Sequence, residues 1–313
     1  MRKIVGIGET VLDVIFKNDK PQDAIPGGSS FNALISLGRV MRNVPRCAVP
    51  ILMVTQTGDD HIGDMIVDFM SANGVDTSAV TRNPGTQSHI SMAFLDSNND
   101  ARYEFYKDHA NAGISAQKVD EICFGKDDIV LFGSFFAINP VIRSSTLKLL
   151  RKAREEGAIL YYDINFRKSH IKDLPQTMPS ILENISLSDF VRCSADDLRY
   201  LFGSDDGDAI YDASIRPLCR NFILTRGADS TLVYTGGSRI EIPVEKVDTV
   251  STIGAGDNFN AGFVFSMIKY GITQHSCASL GAQELSRMAS TASRFSAEAC
   301  RSIYNYVGED FVV

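Results

Sequence analysis

No stretch of the chain approaches the roughly 20 consecutive apolar residues that a membrane-spanning helix needs. The amino terminus passes from Met1-Arg2-Lys3 directly into a strand-like run, with no signal-peptide cleavage region. A soluble, cytoplasmic protein with no membrane partner is therefore expected. Lysine and arginine form no cluster and the formal net charge is −7, so a surface tracking a nucleic-acid backbone is not expected either. The six cysteines, Cys47, Cys123, Cys193, Cys219, Cys277 and Cys300, include no CxxC pair, and the five histidines lack HxxxH spacing. Neither a zinc site nor a disulfide framework is indicated, and buried thiols are the simpler reading. No internal repeat, low-complexity tract or Pro/Gly linker divides the sequence. With 44% hydrophobic content over 313 residues, residues 1–313 read as one large α/β domain with an insertion.

Short apolar runs recur along the chain. Ile4-Val5-Gly6-Ile7-Gly8 is the first, followed by Val49 to Val54, Ile129 to Phe132, Ile159 to Tyr162, Phe190 to Cys193 and Phe222 to Thr225. Runs of this length and character predict buried strands of a mostly parallel sheet. Helical patterns lie between them. One has Asn139 as cap and Pro140 at the first helical position, runs to Glu156 and ends at Gly157. Another places Ile62, Met65, Ile66, Phe69 and Met70 on one face and stops at Gly74. Alternating strands and helices predict a three-layer, doubly wound α/β fold.

Two stretches interrupt that alternation. Val11 to Phe16 follows the first strand directly, and Ser88 to Leu95 is joined to Arg102 to Lys107 by the turn-rich Asp96-Ser97-Asn98-Asn99-Asp100, which reads as a β-hairpin. Together these segments, at about 11–16 and 88–107, form either a small accessory sheet serving as a lid or an edge extension of the main sheet; the pattern does not choose between them.

The segment richest in chemistry is Ser251-Thr252-Ile253-Gly254-Ala255-Gly256-Asp257. Beyond it Phe259, Phe263, Met267 and Tyr270 recur near helical spacing until Gly271, so the small residues sit at a helix amino terminus. The first backbone N–H groups there lack intrahelical partners and can receive negative charge. Asp257, in the first turn, is within reach of a hydroxyl attacking a bound phosphate, although a first-turn aspartate also serves simply to complement the helix dipole. A second such start is Pro26-Gly27-Gly28-Ser29-Ser30-Phe31-Asn32. Its glycines would let a ligand approach the backbone, and Asn32 can donate and accept; plain capping would explain the same residues.

The first of these segments resembles the DTxGAGD signature of the ribokinase-like (PfkB) carbohydrate kinases, and the second resembles that family's amino-terminal Gly-Gly motif. Further matches follow in family order. Gly58-Asp59-Asp60-His61-Ile62-Gly63 and Gly74-Val75-Asp76 resemble two of its turns, and Asp163-Ile164-Asn165-Phe166-Arg167 is similar to the DxNxR of fructokinases and ketodeoxygluconate kinases. Ser194-Ala195-Asp196-Asp197-Leu198 falls where the family has NxxEL, and Thr225-Arg226-Gly227-Ala228-Asp229 resembles its TxGxxG turn.

The resemblance implies transfer of the γ-phosphoryl group of ATP to a sugar hydroxyl, with in-line positioning and charge stabilisation as the main tasks. Asp257 would accept the hydroxyl proton, while N–H groups around Gly254, Ala255 and Gly256 bind the transferring phosphate. Asp13, Gly27, Gly28, Asn32 and Arg167 would hold the sugar, with Lys107 approaching from the lid unless it is a solvated strand lysine. Asn165, Ser194, Thr225 and Gly227 would border the nucleotide, and Asp197 would help hold magnesium through water. Asp163, Asn165 and Arg167 alternate, so a continuing strand would project them to one side; a surface ion pair between Arg167 and Asp163 is the other reading.

Two positions depart from the family pattern. Ser251 replaces the first aspartate of DTxGAGD, with Asp248-Thr249 three positions earlier, which leaves potassium dependence open. Ser194 and Asp197 replace the asparagine and glutamate of NxxE. Fructose is the favoured substrate, with ketodeoxygluconate, ribose or a nucleoside as alternatives and a non-catalytic sugar-binding relative as a further one. A dinucleotide-dependent dehydrogenase fails because Val11 stands at the third glycine position of its motif, and a P-loop kinase fails because GxxxxGK[ST] is absent. The accessory strands, with Ile90, Met92 and Phe94, could pair with another copy, so a homodimer through the lid is the favoured assembly.

Overall fold

The computed structural model describes residues 2–95, 101–106 and 113–313. Thirteen strands are present among those residues: β1 (Ile4–Ile7), β2 (Val11–Lys17), β3 (Lys20–Gly27), β4 (Ile51–Gly58), β5 (Val80–Asn83), β6 (Ile90–Leu95), β7 (Ala101–Tyr106), β8 (Ile129–Gly133), β9 (Ile159–Asp163), β10 (Phe190–Ser194), β11 (Asn221–Thr225), β12 (Ser230–Thr235) and β13 (Ser238–Pro243). Nine form one sheet in the order β13-β12-β11-β10-β9-β8-β1-β4-β5. It is parallel from β11 to β5, and β12 and β13 extend one edge antiparallel.

Strand alternation sorts the apolar side chains into two cores. Ile4, Leu131 and Tyr161 face one side, where the helices Ser29–Asn43, Ala255–Lys269 and Ala282–Cys300 pack. Val5, Val130, Phe132, Leu160 and Tyr162 face the other, against Arg143–Glu155, Leu174–Leu187 and Ala195–Phe202. The period of two thus builds the middle of three layers, as the runs of apolar residues predict. The helix Ala255–Lys269 is unusual in being buried on every residue from Asp257 to Met267. A helix buried all round has neighbours on more than one side, and its Gly262 lies so close to Ala292 that an added Cβ would come within 2.6 Å of the Ala292 Cα.

The strand order reverses at β1, whose chain leads to β4 on one side while β8 pairs on the other. In open α/β sheets ligands bind in the crevice beyond the carboxyl ends of strands at such a switch point. Gly8 follows β1 and Gly133 ends β8, and both border a cleft there.

The interrupting stretches form a separate sheet, β3-β2-β6-β7, so they do not extend the edge of the main one. Strand β2 pairs parallel with β6 and antiparallel with β3, and β6–β7 is the expected hairpin; its turn residues and Lys107 lie outside the described residues. Strand β3 was not expected. Its sequence, Lys-Pro-Gln-Asp-Ala-Ile-Pro-Gly, has no apolar alternation, and its prolines suit an edge strand. The local signal was Asn18-Asp19, both with positive φ (51° and 57°), the backbone of a tight hairpin turn that asparagine and aspartate tolerate. One helix also starts later than its pattern predicts, at Arg143. Asn139 Oδ1 accepts from the Val141 N–H at 3.0 Å, closing a local turn in place of capping a helix at Pro140.

Candidate active site

Asp257 lies in the first turn of Ala255–Lys269, next to the start of Ser29–Asn43. Its Oδ1 accepts from Ser29 Oγ at 2.7 Å and its Oδ2 from Asn32 Nδ2 at 2.8 Å. The two glycine-rich helix starts of the sequence therefore meet at one carboxylate. It is only 8% exposed, yet it borders the cleft at the switch point. Burial pushes its proton affinity above the ordinary carboxylate value, as does the charge of Asp163, while the Asn32 and Ser29 bonds and Arg167 pull the other way.

Both helix starts have backbone geometry that only glycine takes without strain. Gly28 has φ of 129°, and an added Cβ would stand 2.1 Å from the Glu9 carbonyl oxygen; Gly254 has φ of 74°, and a Cβ would stand 2.4 Å from the Asn305 carbonyl oxygen. The Ala255 N–H makes a 3.3 Å turn bond to the Thr252 carbonyl. Gly256 and Asp257 follow inside the first turn, where N–H groups have no preceding carbonyl of the helix to bond. The first-turn N–H groups without a helix carbonyl are thus those of Gly256 and Asp257, while that of Ala255 is committed to the turn.

The cleft, about 100 Å³, is bordered by Asp13, Gly28, Asn32, Arg167 and Asp257. Gly27 lies against Asp13, since an added Cβ would reach 2.1 Å from Asp13 Oδ2. Burial, the largest influence, pushes the Asp13 carboxyl up to about 6; the nearby Asp257 charge adds to this, and Arg167 opposes it. Asn305, absent from the sequence reading, donates from Nδ2 to Asp13 Oδ2 at 2.6 Å, and its own carbonyl accepts from Asn258 Nδ2 at 2.8 Å. An asparagine after the last helix, in a stretch without periodicity, carried no signal. Phe135 and His170 stack at 3.9 Å between ring centroids as another wall of the cleft.

On the other side of the same helix start is a larger cavity of about 430 Å³, bordered by Arg192, Thr225, Gly227, Ala255, Gly256 and Phe259. Arg192, also unforeseen, is 7% exposed. Its Nη1 donates to Asp163 Oδ1 at 3.0 Å and its Nη2 to Thr225 Oγ1 at 2.6 Å. Asp163 Oδ2 accepts from Asn260 Nδ2 at 2.7 Å. An arginine within a strand-like run reads as a break in the apolar pattern, which hid it.

Several expected positions are arranged differently. Strand β9 ends at Asp163, and Asn165 has φ of 39°, so the period of two does not carry through to Arg167. Asp163 pairs with Arg192 behind the second cavity, Asn165 donates to Ser134 Oγ at 2.8 Å, and Arg167 borders the first cleft. Asp163 is buried and bonds Arg192 and Asn260, not a surface partner, and Asn165 is tied to Ser134, which borders the first cleft. Ser194 and Asp197 cap Ala195–Phe202 reciprocally. Asp197 is 3% exposed, and its oxygens accept from the N–H groups of Phe166 and Ser194, each at 2.7 Å, and from Ser194 Oγ at 2.8 Å. A carboxylate spent on three donors does not fit a magnesium ligand, and no group of three or more His, Cys, Asp or Glu able to hold a metal occurs among the described residues. Ser251 is buried, its Oγ accepting from the Ile253 N–H at 3.1 Å, while Asp248 is exposed.

No helix among the described residues is long and apolar enough to cross a membrane. The model of the pfkB family carbohydrate kinases matches residues 1–304. A fructokinase of Rhizobium leguminosarum bv. trifolii is 29% identical over 289 residues, covering 90% of this chain and 85% of that protein. A 2-dehydro-3-deoxygluconokinase of Escherichia coli is 25% identical over 275 residues, covering 84% and 87%. Among solved structures, a double-mutant fructokinase of Vibrio cholerae O395 bound to fructose, ADP and potassium superposes with a TM-score of 0.83 at 19% identity, over 97% of this chain and 94% of that one. With a match across nearly its whole length, and with the two glycine-rich helix starts joined at Asp257, the chain belongs to the PfkB family of carbohydrate kinases and is an ATP-dependent sugar kinase.

Proposed function

We propose that the chain is a fructokinase, transferring the γ-phosphoryl group of MgATP to a hydroxyl of fructose. The observation that carries this reading is the meeting of two cavities at one helix start: Asp257 borders the smaller, and Gly256 the larger. A hydroxyl in the small cleft and a phosphate chain in the large one would approach each other across the first turn. Asp257, held by Ser29 and Asn32, accepts the proton as the new O–P bond forms, and the amides of Gly256 and Asp257 meet the charge on the transferring group. Asp13, Asn32 and the backbone at Gly27 and Gly28 orient the hydroxyls, and Thr225 and Gly227 flank the nucleotide. Magnesium would enter with the nucleotide.

A neutral sugar suits the cleft better than a sugar acid. Arg167 already faces the charges of Asp13 and Asp257, so a ligand carboxylate would compete with two resident ones. The half-buried Ile90, Met92 and Phe94 share one face of the lid sheet, which supports pairing with a second copy; sedimentation of the purified chain tests that. The substrate is tested by ATP consumption over a panel of fructose, ribose, ketodeoxygluconate and nucleosides, with and without potassium. Turnover is expected to be fastest with fructose, and preference for ketodeoxygluconate would overturn the assignment.

A further inference from the structure

We propose that Arg192 is a phosphate-binding residue of the nucleotide cavity, closing from beneath the anion site that the helix Ala255–Lys269 opens from above. The inference rests on reading the cavity beside Thr225 and Gly256 as the nucleotide side.

The geometry converges on one spot. A Cβ added to Gly256 would lie 2.9 Å from both Nη1 and Nη2 of Arg192 and 3.2 Å from its Cζ. The guanidinium therefore lies directly against the first helical turn, where the N–H groups of Gly256 and Asp257 are open. A side chain at 256 would press on the guanidinium and shift it, a different reason for glycine there from simple clearance for phosphate. Two kinds of anion donor, a helix amino terminus and a fixed planar cation, thus border the same cavity.

Arg192 has donors to spare. The guanidinium carries five N–H groups. Nη1 spends one on Asp163 and Nη2 one on Thr225, and the buried Nε has no hydrogen-bond partner. An arginine held in the middle of a sheet costs desolvation, which the pairing with Asp163 offsets. That pairing leaves the second proton of each Nη group for a ligand. The same cavity has an apolar border at Val247, Phe259 and Ala297, which suits the ring of a purine, so the charged end of the ligand is left for the Arg192 side.

A purely structural arginine, present only to neutralise Asp163, is separated from a phosphate-binding one by comparing nucleotide with nucleoside. The doubly substituted R192M/D163N removes both buried charges, so neutrality is preserved. ATP, ADP and adenosine binding to it and to the parent chain is measured by calorimetry in the absence of sugar. Loss of a charge-assisted contact is expected to weaken ATP and ADP roughly ten- to a hundredfold, with adenosine changed by less than about threefold. R192Q/D163N, which lets two amides pair, serves if the first variant does not fold, with the same expectation. An unchanged ratio of ATP to adenosine affinity overturns the role of Arg192 while leaving the kinase reading intact. Failure of the parent chain to bind ATP both without and with sugar present overturns the reading of this cavity as the nucleotide side, and the role of Arg192 with it.

Discussion

Asn32 donates from Nδ2 to Asp257 Oδ2 at 2.8 Å, joining residues 225 positions apart at the starts of two helices. The bond favours the ionised carboxylate. If Asp257 works as the base, substituting Asn32→Ala removes that support and raises the proton affinity of Asp257. The acid limb of the pH profile of kcat is then expected to move toward higher pH. A limb that stays in place would mean that Asn32 only packs the helix.

Asp163 acts in the opposite direction. Its negative charge raises the proton affinity of Asp257, so Asp163→Asn is expected to shift the same limb to lower pH. The substitution also leaves Arg192 buried without its partner, and breaking such a pair costs about 3–5 kcal/mol. Urea denaturation should register that loss, so the pH profile is best taken well below the melting temperature. A shift toward higher pH would contradict the assigned electrostatics.

Substitution of Asp257 itself is the most direct test. Asp257→Asn keeps the shape of the side chain and is expected to lower kcat by about 10²- to 10⁴-fold. Sugar affinity by calorimetry should change little. Unfolding of the variant, seen by circular dichroism, would instead assign Asp257 a structural role.

Asp13 costs stability when it is ionised. Its proton affinity is pushed up to about 6 in the fold, from an ordinary value of 3.8. Between those values the folded chain holds a proton that the unfolded chain has released, so stability rises as pH falls through that window. Above pH 6 the ionised, buried group costs stability. Asp13→Asn is therefore expected to raise the melting temperature at pH 8 by roughly 2 °C or more. No gain is expected at pH 4, and the KM for sugar should rise at either pH.

At Gly28 the backbone leaves no room for substitution. With φ of 129° and the Glu9 carbonyl oxygen 2.1 Å from any added Cβ, Gly28→Ala must displace the start of Ser29–Asn43. Sugar binding and kcat are expected to fall together. Wild-type kinetics in this variant would show that the loop beside Glu9 yields easily.

Those features of the site that depend on composition and period were legible in the sequence. Small residues at the two helix starts, and short apolar runs ending in glycine, signal themselves locally, and they fix the sheet, the two glycine-rich turns and Asp257. Pairings that exist only after folding left no such mark. Arg192 meets Asp163 and Thr225 across neighbouring strands, and nothing in Phe190 to Cys193 announces it. Asn165 misled for a related reason, because a single residue of positive φ ends the alternation on which its direction was read. Asp197 stands where the family has an acidic residue, yet its oxygens accept from Ser194 and from the N–H of Phe166; only coordinates reveal a carboxylate already engaged by three donors.

The hydrogen bond from Asn305 to Asp13 spans 292 positions, so the floor of the cleft is finished only by closing a loop of nearly the whole sequence. Contacts of such separation form late, because their closure entropy is met only once the intervening strands have docked. Turnover is then a reporter of finished folding. A chain cut short of Asn305 is expected to keep most of its secondary structure by circular dichroism while turning over little sugar.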